Sequence, residues 1–69
     1  MEKILIDWLE HYTQCSNLNC DTKFVTLNFD VFDEAMTVDF VNSQFGVNVN
    51  THEQWFATVD DLIRAIKQW

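Results

Sequence analysis

The side chains that most often carry out chemistry are few in this chain. It has two cysteines, Cys15 and Cys20, and two histidines, His11 and His52. A structural zinc site takes four ligands at characteristic spacings, and these four side chains do not follow such a pattern. Nothing at the N-terminus resembles a secretory signal, so we expect a reducing, cytoplasmic location, two free thiols and no metal ion.

The two histidines are also poor candidates for acid–base catalysis. Each stands next to a glutamate, Glu10 before His11 and Glu53 after His52. Neighbouring residues on a helix do not face one another, so neither pair is placed to share a proton. We therefore expect both histidines at the surface, no catalytic residue, and a protein that is not an enzyme.

The chain is strongly acidic, with 11 acidic and 4 basic residues among 69 and a net charge of −7. No Lys or Arg lies between Lys23 and Arg64, whereas seven acidic residues do. Nucleic-acid binding needs clustered cations, so we expect no such partner. The acidic stretch favours partners with basic surfaces, although solubility alone would also explain it. No apolar run approaches the ~20 residues that span a bilayer, so we expect no membrane partner.

Hydrophobic spacing predicts the first helix and the loop after it. Apolar residues recur three and four positions apart over residues 2–14, as in an amphipathic helix. Residues 15–23 are polar and rich in side chains that bond their own backbone, which predicts a long loop. Phe24, Leu27 and Phe29 would attach this loop to the core.

Capping signals predict the second and third helices. Asp30 is a favourable N-cap, and Asp33 stands three residues on, at the partner position of a capping box. This helix should end near Gly46, a typical C-terminal glycine. Thr58 and Asp61 repeat the capping pattern for the last helix. Between these helices we expect an extended connection at residues 47–50 and one helical turn within residues 51–56.

These helices predict one small core and a monomer, since the net charge opposes self-association. The expected core consists of Leu5, Leu9, Leu27, Val41, Phe45, Leu62 and Ile66. The last helix shows an apolar face of Val59, Leu62, Ile63, Ile66 and Trp69. Six aromatic residues could line an acyl cavity, but we interpret them as core side chains: Trp8, Phe40, Phe45, Trp55, Phe56 and Trp69.

Three segments of the sequence resemble the acyl and peptidyl carrier protein family. Residues 24–33 are similar to the family's hydrophobic approach to an Asp-Ser-Leu-Asp motif, with Leu27, Phe29, Asp30, Phe32 and Asp33 matching in kind. Phe45-Gly46-Val47 resembles the Phe-Gly-Ile or Phe-Gly-Val that closes the family's second helix, fourteen positions after residue 31. Thr58-Val59-Asp60-Asp61-Leu62 resembles the Thr-Val-x-Asp-Leu that opens its last helix.

The resemblance covers nearly the whole chain and implies a fold and a function. The fold is an all-α, acyl-carrier-protein-like bundle of three main helices, a short helical turn and a long first loop, in one domain over residues 1–69. The function is docking to partner enzymes of fatty-acid, polyketide or related biosynthesis. The implied docking residues are Asp30, Phe32, Asp33, Glu34, Met36 and Asp39.

Val31 stands where the family has the serine that carries 4′-phosphopantetheine. Valine has no nucleophilic atom, so no cofactor is expected on this chain, whereas the arm would be expected if residue 31 were serine. Two origins remain open, a natural variant and a deliberate Ser→Val substitution. A different function is open as well: a small acidic regulatory or interaction protein built on the same fold.

Other departures from the family lie nearby. Asn28 replaces a usual glycine, which narrows the backbone options of the loop. Several positions of the second helix that are often acidic in the family are occupied here by Met36, Asn42 and Ser43. The expected docking face therefore resembles that of the family only in part.

Overall fold

The computed structural model describes residues 1–49 and 55–68 of the chain. It contains three α-helices, α1 (Glu2–Thr13), α2 (Val31–Phe45) and α3 (Val59–Lys67), and one 3₁₀ helix at Phe24–Leu27. In the described ranges the only β-type pairing is one isolated bridge between Lys23 and Thr58. The predicted small all-α bundle is confirmed.

Helix α1 covers the predicted range except for its last residue. Its buried residues are Leu5 and Leu9, one turn apart, as the amphipathic spacing predicts. The helix ends because Gln14 adopts a left-handed conformation, with φ 59°. Residues 15–22 then form no helix or strand, so the long first loop is confirmed.

Helix α2 begins and ends at the predicted residues. The side chain of Asp30 accepts a hydrogen bond from the Asp33 amide, and the side chain of Asp33 accepts one from the Asp30 amide. This completes the capping box. At the other end Gly46 has φ 66° and donates to the Asn42 carbonyl, which is the left-handed ending that glycine permits. Beyond it, Asn42 accepts a 2.8 Å hydrogen bond from the Val49 amide and so fastens the connection that follows the helix.

Helix α3 has two sources of N-terminal capping. Thr58 and Asp61 form the predicted capping box. The first loop supplies the second source, because the Val59 amide donates to the Thr22 carbonyl at 3.0 Å and the Asp60 amide donates to the Cys20 carbonyl at 2.9 Å. These bonds satisfy amides that a helix leaves unpaired at its start, and they fasten the loop onto α3.

Contacts between the helices show their relative directions. The end of α1 lies at the start of α2, where Tyr12 contacts Asp33. Trp8, which precedes Tyr12 by one turn of α1, stacks on Phe40, which follows Asp33 by about two turns of α2. The two helices therefore run antiparallel. The end of α3 lies near the start of α1, since Lys67 pairs with Glu2 at 3.3 Å.

The core is larger than the predicted set. Five predicted residues are buried, but Leu27 and Phe45 are only partly buried. Burial of the polar Thr37 and of Val49 was not predicted, whereas burial of Phe24 agrees with its expected role of attaching the first loop to the core. Among the described residues, the buried set is Leu5, Leu9, Phe24, Thr37, Val41, Val49, Val59, Leu62, Ile63 and Ile66.

The predicted turn at residues 51–56 lies mostly outside the described residues. Trp55 and Phe56 are not helical, but both pack against the core. Trp69, predicted on the apolar face of α3, lies outside the described part of the chain. None of the described helices is long and apolar enough to cross a membrane.

Candidate docking site at the start of α2

The first turn of α2 presents two large apolar side chains to solvent. Val31 is 77% exposed and Phe32 is 80% exposed. The predicted attachment position is therefore accessible at the beginning of a capped helix. Accessibility is a requirement for any residue that a separate enzyme modifies or that a partner protein contacts.

The exposed apolar surface continues along α2. Ala35 is exposed, and Met36 is 51% exposed. Residues four apart on a helix are neighbours, so Ala35 follows Val31 and Met36 follows Phe32 on the same side. We call Val31, Phe32, Ala35 and Met36 the apolar patch. The opposite side of α2 carries the buried residues Thr37 and Val41.

Backbone amides at the start of α2 are also accessible. Asp30 accepts hydrogen bonds from the amides of Asp33 and Glu34, at 2.9 Å to its side chain and 3.0 Å to its carbonyl. Within residues 1–49 and 55–68, the amides of Val31 and Phe32 have no hydrogen-bond partner. The start of α2 thus differs from that of α3, whose amides are covered by the first loop.

Tyr12 connects α1 to this site. Its hydroxyl donates to the Asp33 carboxylate at 2.6 Å. This hydrogen bond lowers the pKa of Asp33, with a further contribution from the Asp30 amide, because both donors stabilise the ionised carboxylate. The same bond, together with burial, raises the pKa of Tyr12. Asp33 is therefore a structural connection between two helices as well as a predicted docking residue.

Acidic side chains surround the apolar patch. Asp30 and Asp39 are exposed, and Glu34 is half-buried. The ion pairs in the described ranges, Arg64–Asp60 and Lys67–Glu2, lie on α3 and α1. No Lys or Arg lies between residues 23 and 64 of the sequence, so each charged side chain on α2 is acidic.

Hydroxyl groups near the site do not replace a serine at residue 31. Thr26 precedes the helix and donates to the Lys23 carbonyl. Thr37 is fully buried and donates to the Asp33 carbonyl at 2.8 Å. Ser43 lies near the far end of α2. The first turn of this helix, residues 31–34, contains no Ser or Thr.

The two cysteines and His11 do not line this surface. Cys15 and Cys20 are both free, as predicted. Burial raises the pKa of the Cys20 thiol, whereas Cys15 is exposed. His11 is exposed, as predicted, and His52 lies outside the described residues. The described residues contain no group of three side chains suited to hold a metal ion.

Apart from the exposed Phe32, the aromatic rings near the site pack behind it. Trp8 stacks between Tyr12 and Phe40, with ring centroids 4.9 and 4.6 Å away. Phe29 contacts Phe24 at 4.9 Å and Trp55 at 6.0 Å. Phe24 and Phe29 were expected to attach the first loop to the core, whereas the stacking of Tyr12 on Trp8 was not predicted. The indole nitrogen of Trp55 is buried without a hydrogen-bond partner among the described residues.

Comparison with known proteins found no relatives. No family model matches the sequence, and no curated protein or solved structure matches it either. The resemblance to carrier proteins therefore depends on the short motifs and their spacing alone.

Proposed function

We propose that this protein is an acyl-carrier-protein-like module that docks to biosynthetic enzymes through α2 and carries no phosphopantetheine arm at the usual position. The exposed first turn of α2 is the observation that carries the proposal. Val31 and Phe32 are accessible there, between the two aspartates of a capping box. In this proposal the protein acts as a cytoplasmic monomer in fatty-acid, polyketide or related biosynthesis.

The chemistry of the family explains why such a position suits an attachment site. A phosphodiester formed on a first-turn hydroxyl would lie next to unpaired backbone amides and the positive end of the helix dipole. The amides of Val31 and Phe32 are available in this way in the described structure. The carrier supplies only the presented hydroxyl, and a separate transferase with a metal ion transfers the arm from coenzyme A.

Substitution of serine for valine tests this proposal. Val31→Ser, incubated with coenzyme A, magnesium and a broad-specificity phosphopantetheinyl transferase, should gain the mass of one phosphopantetheine group. The unsubstituted protein should gain none, because no hydroxyl is presented at that position. Intact-protein mass spectrometry measures both. The substitution should preserve the fold, since residue 31 is 77% exposed and surface changes are usually tolerated.

Val25→Ser is the matched control, because Val25 is exposed to the same extent, 77%, but lies on the 3₁₀ helix. It should remain unmodified. A folded Val31→Ser protein that gains no mass would count against a merely blocked carrier and favour a module that has also lost recognition by the transferase. Modification of the unsubstituted protein would show that the attachment site was placed wrongly.

A non-carrier interaction protein is the second candidate function. The observation that favours it is the pair of exposed apolar side chains, Val31 and Phe32, where a carrier needs a hydroxyl. Such a protein would use the same acidic helix to occupy a basic groove. Failure of Val31→Ser to accept the arm, with binding to a basic partner retained, would support this candidate over the first.

A further inference from the structure

A cavity of about 390 Å³ lies between the end of α1, the 3₁₀ helix and the first turn of α2. It is lined by Tyr12, Thr13, Leu27 and Asp33. It lies on the side of α2 that faces α1, whereas the apolar patch lies on the side that faces solvent. Binding sites for small molecules have volumes of about 300–1,000 Å³, so this cavity is large enough for one.

The side chains that line the cavity have used their donors but not all of their acceptors. The Tyr12 hydroxyl donates to Asp33 at 2.6 Å, and the Thr13 hydroxyl donates to the Leu9 carbonyl at 2.7 Å. Both hydroxyl oxygens keep free lone pairs. Each carboxylate oxygen of Asp33 accepts one hydrogen bond and can accept another. Since Leu27 has an apolar side chain, a ligand in this cavity must supply the donors.

The charge of the cavity narrows the class of ligand further. Hydrogen bonds from Tyr12 and from the Asp30 amide lower the pKa of Asp33, so its carboxylate is ionised at neutral pH. An anion would be repelled by this charge and would find no free donor on the lining side chains. A metal ion is also disfavoured, because the described residues contain no group of three side chains suited to hold one. An organic cation that carries N–H donors meets both requirements.

We propose that this cavity is a binding site for a small organic cation of the alkylguanidinium class. A guanidinium group is planar and carries several N–H donors, so it can bond the Asp33 carboxylate together with the oxygens of Tyr12 and Thr13. Its alkyl chain packs on Leu27, which is half-buried. The site takes a free small molecule, lies apart from the apolar patch and does not depend on the carrier lineage.

The probe is n-butylguanidinium chloride, at concentrations too low to denature the protein. Added to isotope-labelled protein, it should shift the amide signals of Tyr12, Thr13 and Leu27 in NMR spectra. Its neutral counterpart n-butylurea, which has nearly the same shape, and the anion pentanoate should not shift them. Asp33→Asn should weaken the affinity for the cation at least about tenfold, because the charge-assisted hydrogen bonds are lost.

Asp30→Asn is the matched control variant. It removes the same charge from the same capping box, but Asp30 does not line the cavity. It should change the affinity by less than about twofold, since an exposed charge outside the site is screened by salt. Thr13→Val leaves the capping box unchanged and removes one acceptor, so it should weaken the affinity roughly threefold to tenfold. Circular dichroism checks that each variant remains folded.

Equal losses of affinity for Asp30→Asn and Asp33→Asn would overturn the inference, because the cation would then be attracted only by the acidic surface in general. Equal binding of n-butylurea would overturn it as well, since the charge of the ligand would not matter. Signal shifts centred on the apolar patch, or no shifts in the unsubstituted protein, would have the same consequence. If Asp33→Asn does not fold, Thr13→Val and the comparison with n-butylurea still decide.

Discussion

At the residue scale, Asp33 shows how the site depends on a contact that is distant in sequence. Its carboxylate accepts one hydrogen bond from the Asp30 amide at 3.0 Å and one from the Tyr12 hydroxyl at 2.6 Å. The first bond caps α2, and the second attaches α2 to α1. Substitution of Asp33 would therefore disturb the helix start as well as the charge of the docking surface. Glu34 and Asp39 are better positions for changing charge alone.

Tyr12→Phe tests the connection between these helices. The substitution keeps the ring that stacks on Trp8 and removes only the hydroxyl. We expect the pKa of Asp33 to rise toward its ordinary value of 3.8, because its first stabilising donor is lost. An NMR titration of the carboxyl carbon measures this value. Equal Asp33 pKa values in the two proteins would contradict this hydrogen bond between Tyr12 and Asp33.

The same substitution should change how stability depends on pH. A lowered pKa means that Asp33 stabilises the fold above its unfolded pKa, and that this contribution is lost as pH falls through the folded value. The pKa of Tyr12 is raised, so the pH dependence is reversed. The contribution of Tyr12 to stability is complete below its unfolded pKa and is lost as pH rises through its folded pKa. The stability difference between the two proteins should thus be largest between about pH 4 and 10, around the ordinary values of 3.8 and 10.0. Denaturant unfolding across this range measures it.

At the scale of elements, the starts of α2 and α3 share a capping box but have different surroundings. In α3, carbonyls of Cys20 and Thr22 accept hydrogen bonds from the first amides, and Val59 is fully buried. In α2, the corresponding residue, Val31, is exposed. Local capping signals are equal in the two helices, so the difference comes from where the first loop packs. The start of α3 is covered by the first loop, and the start of α2 is exposed to solvent.

Leu62→Ala tests the contribution of α3 to the core. Leu62 is fully buried, so removal of its side chain should lower the free energy of unfolding by about 2–5 kcal/mol through lost burial and a residual cavity. Val25→Ala is the control, because residue 25 is 77% exposed and surface changes usually cost less than ~0.5 kcal/mol. Urea denaturation followed by circular dichroism measures both. A loss for Leu62→Ala no larger than that of the control would contradict the predicted packing of α3.

At the scale of the whole molecule, the sequence predicts local features better than distant contacts. Helix ends were predictable because caps such as Asp30 and Thr58 act within three residues of sequence. Burial of Thr37 was not predictable, because a polar side chain normally indicates an exposed position. Its hydroxyl can be buried here because it donates a hydrogen bond to the Asp33 carbonyl within α2. The contact of Tyr12 with Asp33 spans 21 positions and has no local signal.

The exposure of the helix start at residue 31 was predictable, but the contacts around it were not. The motif around residue 31 indicated an accessible helix start, and Val31 and Phe32 are exposed there. Asp33 was predicted as a docking residue. That it is half-buried and accepts a hydrogen bond from Tyr12 was not predicted, because this contact depends on how α1 packs on α2. Asn28 adopts φ 55°, a left-handed conformation that glycine also permits. Replacement of the family's glycine by asparagine is therefore compatible with this turn, since asparagine is among the residues that tolerate this conformation best.

Net charge gives the molecule a predictable response to salt. The chain carries −7 on a body of 28 × 24 × 18 Å. The Debye length is about 30 Å at 0.01 M salt and about 8 Å at 0.15 M, so repulsion acts across the whole molecule only at low salt. Exposed ion pairs, such as Arg64–Asp60, contribute little to stability. We therefore expect the melting temperature to rise between these two salt concentrations, with the protein monomeric throughout.

Asp39→Lys provides the matched comparison for this prediction. Asp39 is exposed on α2, and its replacement changes the net charge from −7 to −5. The variant should melt higher than the unsubstituted protein at 0.01 M salt and gain less from added salt, because there is less repulsion to screen. Calorimetry gives the melting temperatures, and sedimentation velocity gives the oligomeric state. A melting temperature that falls with salt would mean that attraction between opposite charges outweighs repulsion between like charges. Dimers that form only at high salt would mean that charge repulsion alone keeps the apolar patches of two molecules apart.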